Sequence, residues 1–199
     1  MSSVAPVELR DGIEIRDPLQ VVLSYLEAWR FDVGDVSASF QESDLRLANR
    51  GGARISAVEI TTVLERRRAI ERALRAIALD ASLAEAVSSV PWMPLQELFD
   101  AFADIRGVGL SKTTKALHPK RPALIPMLDS VVQGYLVDDD LGAQAPFGER
   151  ALRLVRGYKR DLDVNRAAIR AVREGLRTRG YELTEVRILD LLIWSVAAP

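Results

Sequence analysis

The chain contains no cysteine and only one histidine, His118. Without cysteine there can be no disulfide, thiolate-bound metal, iron–sulfur cluster or cysteine nucleophile. A single histidine also disfavours a histidine-rich metal site. We therefore predict no resident metal and no cofactor, although the acidic run 138–140 leaves open a divalent cation bound through oxygens. Lone histidines can act in acid–base chemistry, but ending a helix is the simpler interpretation of His118.

Long apolar runs are also missing. A membrane-spanning helix needs roughly 18 consecutive apolar residues, and the longest late run, 188–198, is interrupted by Asp190 and Ser195. Residues 1–14 lack the basic start and apolar block of a signal peptide. We therefore expect a cytoplasmic protein without a membrane partner.

Excess charge of one sign is the third absence, because 27 basic residues face 28 acidic ones and the net charge is −1. A domain that coats nucleic acid is usually more basic than this. Any contact with a polyanion must therefore be local. A length of 199 residues, 48% of them hydrophobic, is enough for one domain with one core.

The first residues, 1–16, show weak alternation and are predicted to form an N-terminal tail or edge segment. Asp17 and Pro18 then have the pattern of a helix N-cap and first helical position. Apolar residues follow on one helical face as far as Trp29, and Gly34 ends the pattern.

Two capping-box sequences lie further along the chain. Ser56 and Glu59 have the spacing at which each side chain binds the other residue's amide, which predicts a helix running to about Leu79. The same spacing recurs in Ser82–Glu85 and predicts a shorter helix.

The remaining pattern is also helical, and we find no convincing paired strands. Helices are predicted at 43–49, from 94, at 148–161, at 164–179 and from Thr184 onwards. Residues 138–140 are expected to form a solvated loop, and the three tryptophans, Trp29, Trp92 and Trp194, are expected in the core. The fold class is therefore all-α, a single multi-helix domain over residues 17–199.

The most informative segment is Gly107-Val108-Gly109, a predicted tight turn between two helices. Glycine permits positive φ and the close approach of another backbone. The amides of Gly109, Leu110 and Ser111 are expected to be free at a helix N-terminus, where backbone amides and the helix dipole bind phosphate oxygens.

Charge in this segment supports such a use. Residues 105–128 contain no acid and five basic residues: Arg106, Lys112, Lys115, Lys120 and Arg121. A cationic face beside a phosphate-ready turn predicts contact with the DNA backbone. Two simpler interpretations stay open, because Gly-x-Gly is often only a turn and a run of charges is often only a solvated face.

An apolar stretch, 122–128, follows the turn and ends in Asp129-Ser130, with Asp129 22 positions after Gly107. Together these residues resemble the helix-hairpin-helix DNA glycosylase superfamily, in particular its endonuclease-III-like branch. The resemblance covers about residues 102–135 and implies a motif core at about 94–136. The whole chain also resembles an uncharacterised bacterial family of about this size.

The resemblance implies a mechanism. In that superfamily the hairpin amides hold a DNA phosphate, often through a monovalent cation, and the damaged nucleotide is flipped out of the duplex. Asp129 would stabilise the oxocarbenium-like transition state or orient the attacking water. Ser111 occupies the position of the lysine of bifunctional members, and Lys112 is turned from it by about 100°. Base removal without strand cleavage is therefore implied.

The resemblance thus assigns residues to two roles. Asp129 and Ser111 are the catalytic candidates. The candidates for binding double-stranded DNA are Gly107, Gly109, Leu110, Lys112, Lys115, Lys120 and Arg121.

A non-catalytic alternative also fits the sequence. Asp followed by Ser-Val-Val is an ordinary helix N-cap, so Asp129 can be explained without chemistry. Where the superfamily often has histidine the chain has Val131, and no aromatic wedge is identifiable. The alternative is a helical scaffold that binds a protein partner or regulates one, and the balanced net charge favours it.

Overall fold

The computed structural model describes residues 5–26 and 35–197. Within them the chain forms ten α-helices and one short sheet, which accords with the predicted all-α class. The predicted continuation of the first helix through Trp29 to Gly34 lies outside the described residues. The helices are α1 (Pro18–Leu26), α2 (Glu42–Arg50), α3 (Ala57–Glu65), α4 (Arg67–Arg75), α5 (Trp92–Asp100), α6 (Leu110–Leu117), α7 (Ser130–Tyr135), α8 (Phe147–Val164), α9 (Arg166–Arg177) and α10 (Glu185–Ala197).

The sheet is an antiparallel pair of two-residue strands, β1 (Val7–Glu8) and β2 (Glu14–Ile15). The amide side chain of Asn165 accepts from the Glu8 N–H at 2.8 Å and donates to the Glu8 carbonyl at 2.7 Å. This contact fixes the strand pair on the turn between α8 and α9. Strands of two residues are too short for alternation to reveal them in the sequence.

Three predicted helix starts are confirmed by their caps. Asp17 Oδ1 accepts from the Gln20 amide at 3.2 Å, and Thr184 Oγ1 accepts from an amide in the first turn of α10. Ser56 and Glu59 form the reciprocal capping box, with the Ser56 amide 2.7 Å from Glu59 Oε2. Local side-chain chemistry therefore specifies where these helices begin.

Two helix predictions need correction. The helix expected over 56–79 divides at Arg66, where φ is −88° and ψ is 2°, and α4 ends at Arg75. The second capping box, Ser82–Glu85, opens no helix. Instead the carbonyls of Leu83 and Glu85 accept from the buried Lys159 ammonium at 2.9 and 2.8 Å. Lys159, which is distant in sequence, therefore binds carbonyls that would accept backbone amides if this segment were helical.

The acidic run 138–140 also differs from its prediction as a solvated loop. Asp139 lies in a short 3₁₀ turn, is only 4% exposed, and binds the guanidinium groups of Arg10 and Arg160. Burial acts to raise the pKa of Asp139, but the hydrogen bonds from the two arginines lower it below its ordinary value. Asp139 is therefore an internal anchor between the N-terminal segment and α8.

The core is organised around α10 and α5. Residues 185–193 of α10 are all buried, and this helix packs on α7, α1, α9 and α8. α5 packs on α8 and α4, while α6 packs on α2. Complete burial of a leucine or isoleucine side chain contributes about 1.5–3 kcal/mol, so the apolar face of α10 is a major source of stability.

Candidate nucleic-acid interface

The predicted glycine turn lies between α5 and α6, and its first glycine is required for two reasons. Gly107 has φ of +82°, a conformation that side chains disfavour. A Cβ at this position would also lie 2.2 Å from Glu59 Oε1. Gly109 differs, because its φ is −89° and a Cβ there would meet nothing within 4 Å.

The turn exposes backbone donors. Gly107 and Gly109 are exposed, while Val108 between them is 5% exposed and anchors the turn in the core. Gly109 is the N-cap of α6. The amides of Gly109, Leu110 and Ser111 have no hydrogen-bond acceptor in the part of the chain that the structure describes. Together with the helix dipole, these donors favour an anion. The side chain of Leu110 is buried, so only its amide can contribute.

A carboxylate stands beside the turn. Glu59 Oε1 accepts from Lys112 Nζ at 2.7 Å, and both side chains are partly buried. Burial acts to raise the pKa of Glu59, but hydrogen bonds from Lys112 and Ser56 lower it overall. The charge of Glu59 is thus balanced by Lys112, and the monovalent cation that the resemblance implies at the hairpin stays a prediction.

Lys115 lies on α6, one turn beyond Lys112. Its Nζ donates to the Gly51 carbonyl at 3.1 Å, next to a loop in which Arg50 and Arg54 are exposed. Arg106 is exposed at the start of the turn. We call Arg106, Gly107, Gly109, Lys112 and Lys115 the hairpin surface. Gly107 and Lys112 both lie against Glu59, and Lys115 is the next cation along α6.

Two predicted DNA contacts, Lys120 and Arg121, are not on this surface. Lys120 is 1% exposed, and its Nζ lies 2.9 Å from Asp44 Oδ1 and 3.7 Å from Asp35 Oδ2. We therefore correct its assignment to an internal ion pair. Burying a charge is costly unless it is paired, and Asp44 meets that requirement.

Arg121 is likewise internal, at 1% exposure. Its guanidinium donates to the backbone carbonyls of Leu74, Ile77, Val36 and Lys120. The first two lie at and just beyond the end of α4, where a cation satisfies the last carbonyls and opposes the helix dipole. Burial lowers the pKa of Arg121. Its role is to cap α4, and it cannot reach a phosphate.

Asp129 is the N-cap of α7. Its Oδ1 accepts from the amides of Val131 and Val132, both at 3.1 Å, and its Oδ2 accepts from Trp194 Nε1 at 3.1 Å. The residue is 4% exposed. Both carboxylate oxygens are therefore occupied by groups of the protein itself.

The turn and Asp129 are nonetheless linked through α6. The buried Thr114 hydroxyl donates to the Leu110 carbonyl at 2.9 Å and accepts from the Leu128 amide at 3.0 Å. This places the residue before Asp129 against the middle of α6. The second catalytic candidate, Ser111, is half-buried, and among the described residues no hydrogen bond joins it to Asp129.

A comparison with known families now places the chain. A family described as a family of unknown function (DUF6308) matches residues 27–197. The chain belongs to this family. No curated protein and no solved structure matches it. The family has no assigned function, so the function of this chain must be inferred from the site itself.

Asp190, the least exposed of the buried acids in the described residues of this DUF6308 chain, was also not predicted. Asp190, 1% exposed, accepts from the Met127 amide at 3.3 Å. Burial raises the pKa of Asp190 to about 7, although Arg187 opposes the shift. The sequence signal for this buried acid is a charged residue within the apolar run of α10.

Other expected chemistry can be placed briefly. His118 is buried at the start of a 3₁₀ turn, with Nδ1 2.7 Å from the Ile125 carbonyl oxygen. Over residues 5–26 and 35–197, no group of three or more histidine or acidic side chains is arranged to hold a metal ion. No helix in those ranges is both long and apolar enough to cross a bilayer.

Proposed function

We propose that this DUF6308 protein binds duplex DNA through the backbone phosphates, with the hairpin surface as the contact. One observation carries the proposal. Donor amides of Gly109, Leu110 and Ser111 are unused within the described residues and lie at an exposed helix N-terminus, beside Lys112 and Lys115. Such a combination binds phosphate oxygens.

The arrangement supports weak, sequence-independent binding. The contact has three cations of its own, and one of them, Lys112, is shared with Glu59. Arg50, the last residue of α2, and Arg54 add exposed positive charge on either side of Gly51, the residue to which Lys115 bonds. Backbone contacts carry no sequence information, and their strength falls as salt concentration rises. The helix, two-glycine turn and second helix support the predicted likeness to the helix-hairpin-helix motif.

Binding is tested by fluorescence anisotropy with a labelled duplex over a range of salt concentrations. We expect Lys112→Gln/Lys115→Gln to weaken binding several-fold. The slope of log K against log salt should fall by about 2, because each lysine neutralises one phosphate. The matched control is Arg170→Gln/Arg177→Gln on α9, which removes the same charge from exposed positions outside the hairpin surface.

Equal weakening by the two double variants would show a diffuse charge effect and would refute the hairpin assignment. Thermal unfolding of each variant must be measured in parallel, because Lys112 also pairs with Glu59.

A scaffold without DNA binding is the second candidate, and one observation favours it. Four of the predicted cationic contacts already bond to groups of the protein itself: Lys112, Lys115, Lys120 and Arg121. If the wild-type chain shows no salt-dependent duplex binding, this candidate is the one that remains.

The resemblance predicts base excision by Asp129, whereas the hydrogen bonds around this carboxylate disfavour it. The oxygens that would face a sugar cation already accept three hydrogen bonds. We therefore expect duplexes carrying uracil, alkylated, oxidised or mismatched bases to give no alkali-labile sites above an Asp129→Asn control. Asparagine also caps helices well, but its NH2 group cannot accept from Trp194 Nε1, so thermal unfolding must show that the control is folded. Cleavage by the wild type alone would establish catalysis and overturn this expectation.

A further inference from the structure

A second candidate site lies at the opposite end of α5 from the hairpin. It is a pocket of about 510 Å³ between the start of α5, the 3₁₀ turn before it and α8. We propose that this pocket binds a nucleoside monophosphate, that is, a planar ring carrying an anionic group. A volume of this size is within the range of small-ligand sites, about 300–1,000 Å³.

One wall of the pocket is the indole ring of Trp92, which is held in a fixed orientation. Trp92 Nε1 donates to the Val87 carbonyl at 2.9 Å, and the side chain is half-exposed. Val87 beside it is 58% exposed and adds apolar surface to the pocket rim. The Arg156 guanidinium lies over this ring, so a planar ligand would stack on the exposed Arg156–Trp92 pair rather than on bare indole.

The guanidinium of Arg156 also lines the pocket. The Arg156 guanidinium lies 5.1 Å from the centroid of the Trp92 ring. It is exposed, and no carboxylate of residues 5–26 or 35–197 forms an ion pair with it. A guanidinium stacked on indole keeps its N–H donors available at its edge, where they match phosphate or carboxylate oxygens.

The charge balance of the pocket selects an anion. Three cations, Arg156, Lys159 and Arg160, face one acid, Asp163. Lys159 is internal and already binds Asp163, and Asp163 is also paired with Arg166. Arg160 pairs with the buried Asp139, but its side chain is 56% exposed and can offer further donors. Two of the three cations are thus already paired, and Arg156 supplies the available positive charge. The apolar wall and the Arg156 guanidinium together favour an aromatic anion over either an apolar or a cationic ligand.

The test uses the full chain and isothermal titration calorimetry with AMP, adenosine and inorganic phosphate as separate probes. We expect AMP to bind more tightly than either part, and Arg156→Gln to weaken AMP binding about tenfold. Arg153→Gln is the matched control. It lies one turn earlier on α8, is 50% exposed and does not line the pocket, so we expect less than a twofold change.

Several outcomes would overturn the assignment. Absence of AMP binding, or equal loss in the two arginine variants, removes the site. Adenosine or phosphate binding as tightly as AMP removes the requirement for a ring with an anion. Binding of a short single-stranded oligonucleotide without AMP binding would exclude a free nucleotide as the ligand. Trp92→Leu should reproduce the Arg156→Gln result, and a circular dichroism melt must show that each variant is folded.

Discussion

The basic window 105–128 has two halves that the structure treats differently. The first half, containing Arg106, Lys112 and Lys115, stays at the surface around the glycine turn. In the second half, Lys120 and Arg121 are each 1% exposed and bind an acid and a set of carbonyls inside the protein. Charges that are continuous in sequence are therefore not continuous in space.

The difference teaches what a count of charges leaves out. A cation on the surface needs no partner, but an internal one must have acceptors that come from distant segments. Arg121 finds them 44 and 47 residues away, at the end of α4. The DNA-binding prediction must therefore rest on the first half alone.

The two halves of the basic window are expected to differ most clearly in how much each contributes to the free energy of unfolding. Arg121→Met leaves buried carbonyls of Leu74 and Ile77 without a donor, so we expect the free energy of unfolding to fall by about 3 kcal/mol. Arg106→Met at the surface should change it by less than about 0.5 kcal/mol. Urea unfolding measures both values. Similar losses in the two variants would mean that the two halves are not distinct.

A pH effect of comparable size is expected from a buried acid of the core. The Asp190 carboxyl group, which faces Arg187 on its own helix, Tyr158 on α8 and Asp129 before α7, has a pKa raised from 3.8 to about 7. The folded state therefore keeps the proton in a range where the unfolded state has lost it. The free energy of unfolding should fall as pH rises through this range.

Asp190→Asn should remove this dependence. We expect the variant to exceed the wild type by on the order of 4 kcal/mol at pH 8 and to match it near pH 4. Urea unfolding across the pH range checks the prediction. Parallel curves for the two proteins would show that Asp190 does not titrate in this window.

The smallest effect distinguishes the two glycines of the hairpin surface. Gly107→Ala places a Cβ at positive φ and against Glu59, so we expect a loss of about 1–2 kcal/mol. Gly109→Ala meets neither obstacle and should cost less than about 0.5 kcal/mol. Adding Glu59→Ala to Gly107→Ala should recover part of the loss, as measured by thermal unfolding. Equal costs at both glycines would contradict the local geometry.

Local chemistry explains which features the sequence could predict. Helix starts at Asp17, Ser56 and Thr184 depend on residues three positions apart, and the turn at Gly107 depends on backbone freedom. These signals lie within a few residues of their effect. They allow the all-α class and the exposed turn to be predicted.

Long-range partners explain what could not be predicted. Glu59 contacts the turn from 48 positions away in the chain, and Trp194 reaches Asp129 across 65. Arg156 meets Trp92 in the same way. The sequence does not show which distant groups will meet, so it could not show that the Asp129 oxygens are occupied or that a second pocket exists.

The use of lysine in this protein has a further consequence. Its four lysines, Lys112, Lys115, Lys120 and Lys159, are all partly or fully buried, so every fully exposed cation in the described residues is an arginine. Guanidinium groups keep their charge at any physiological pH and are not substrates for acetylation. The outer electrostatic field of the molecule should therefore resist both acidity changes and acetyltransferases, while acetylation of an inner lysine would act by loosening the fold.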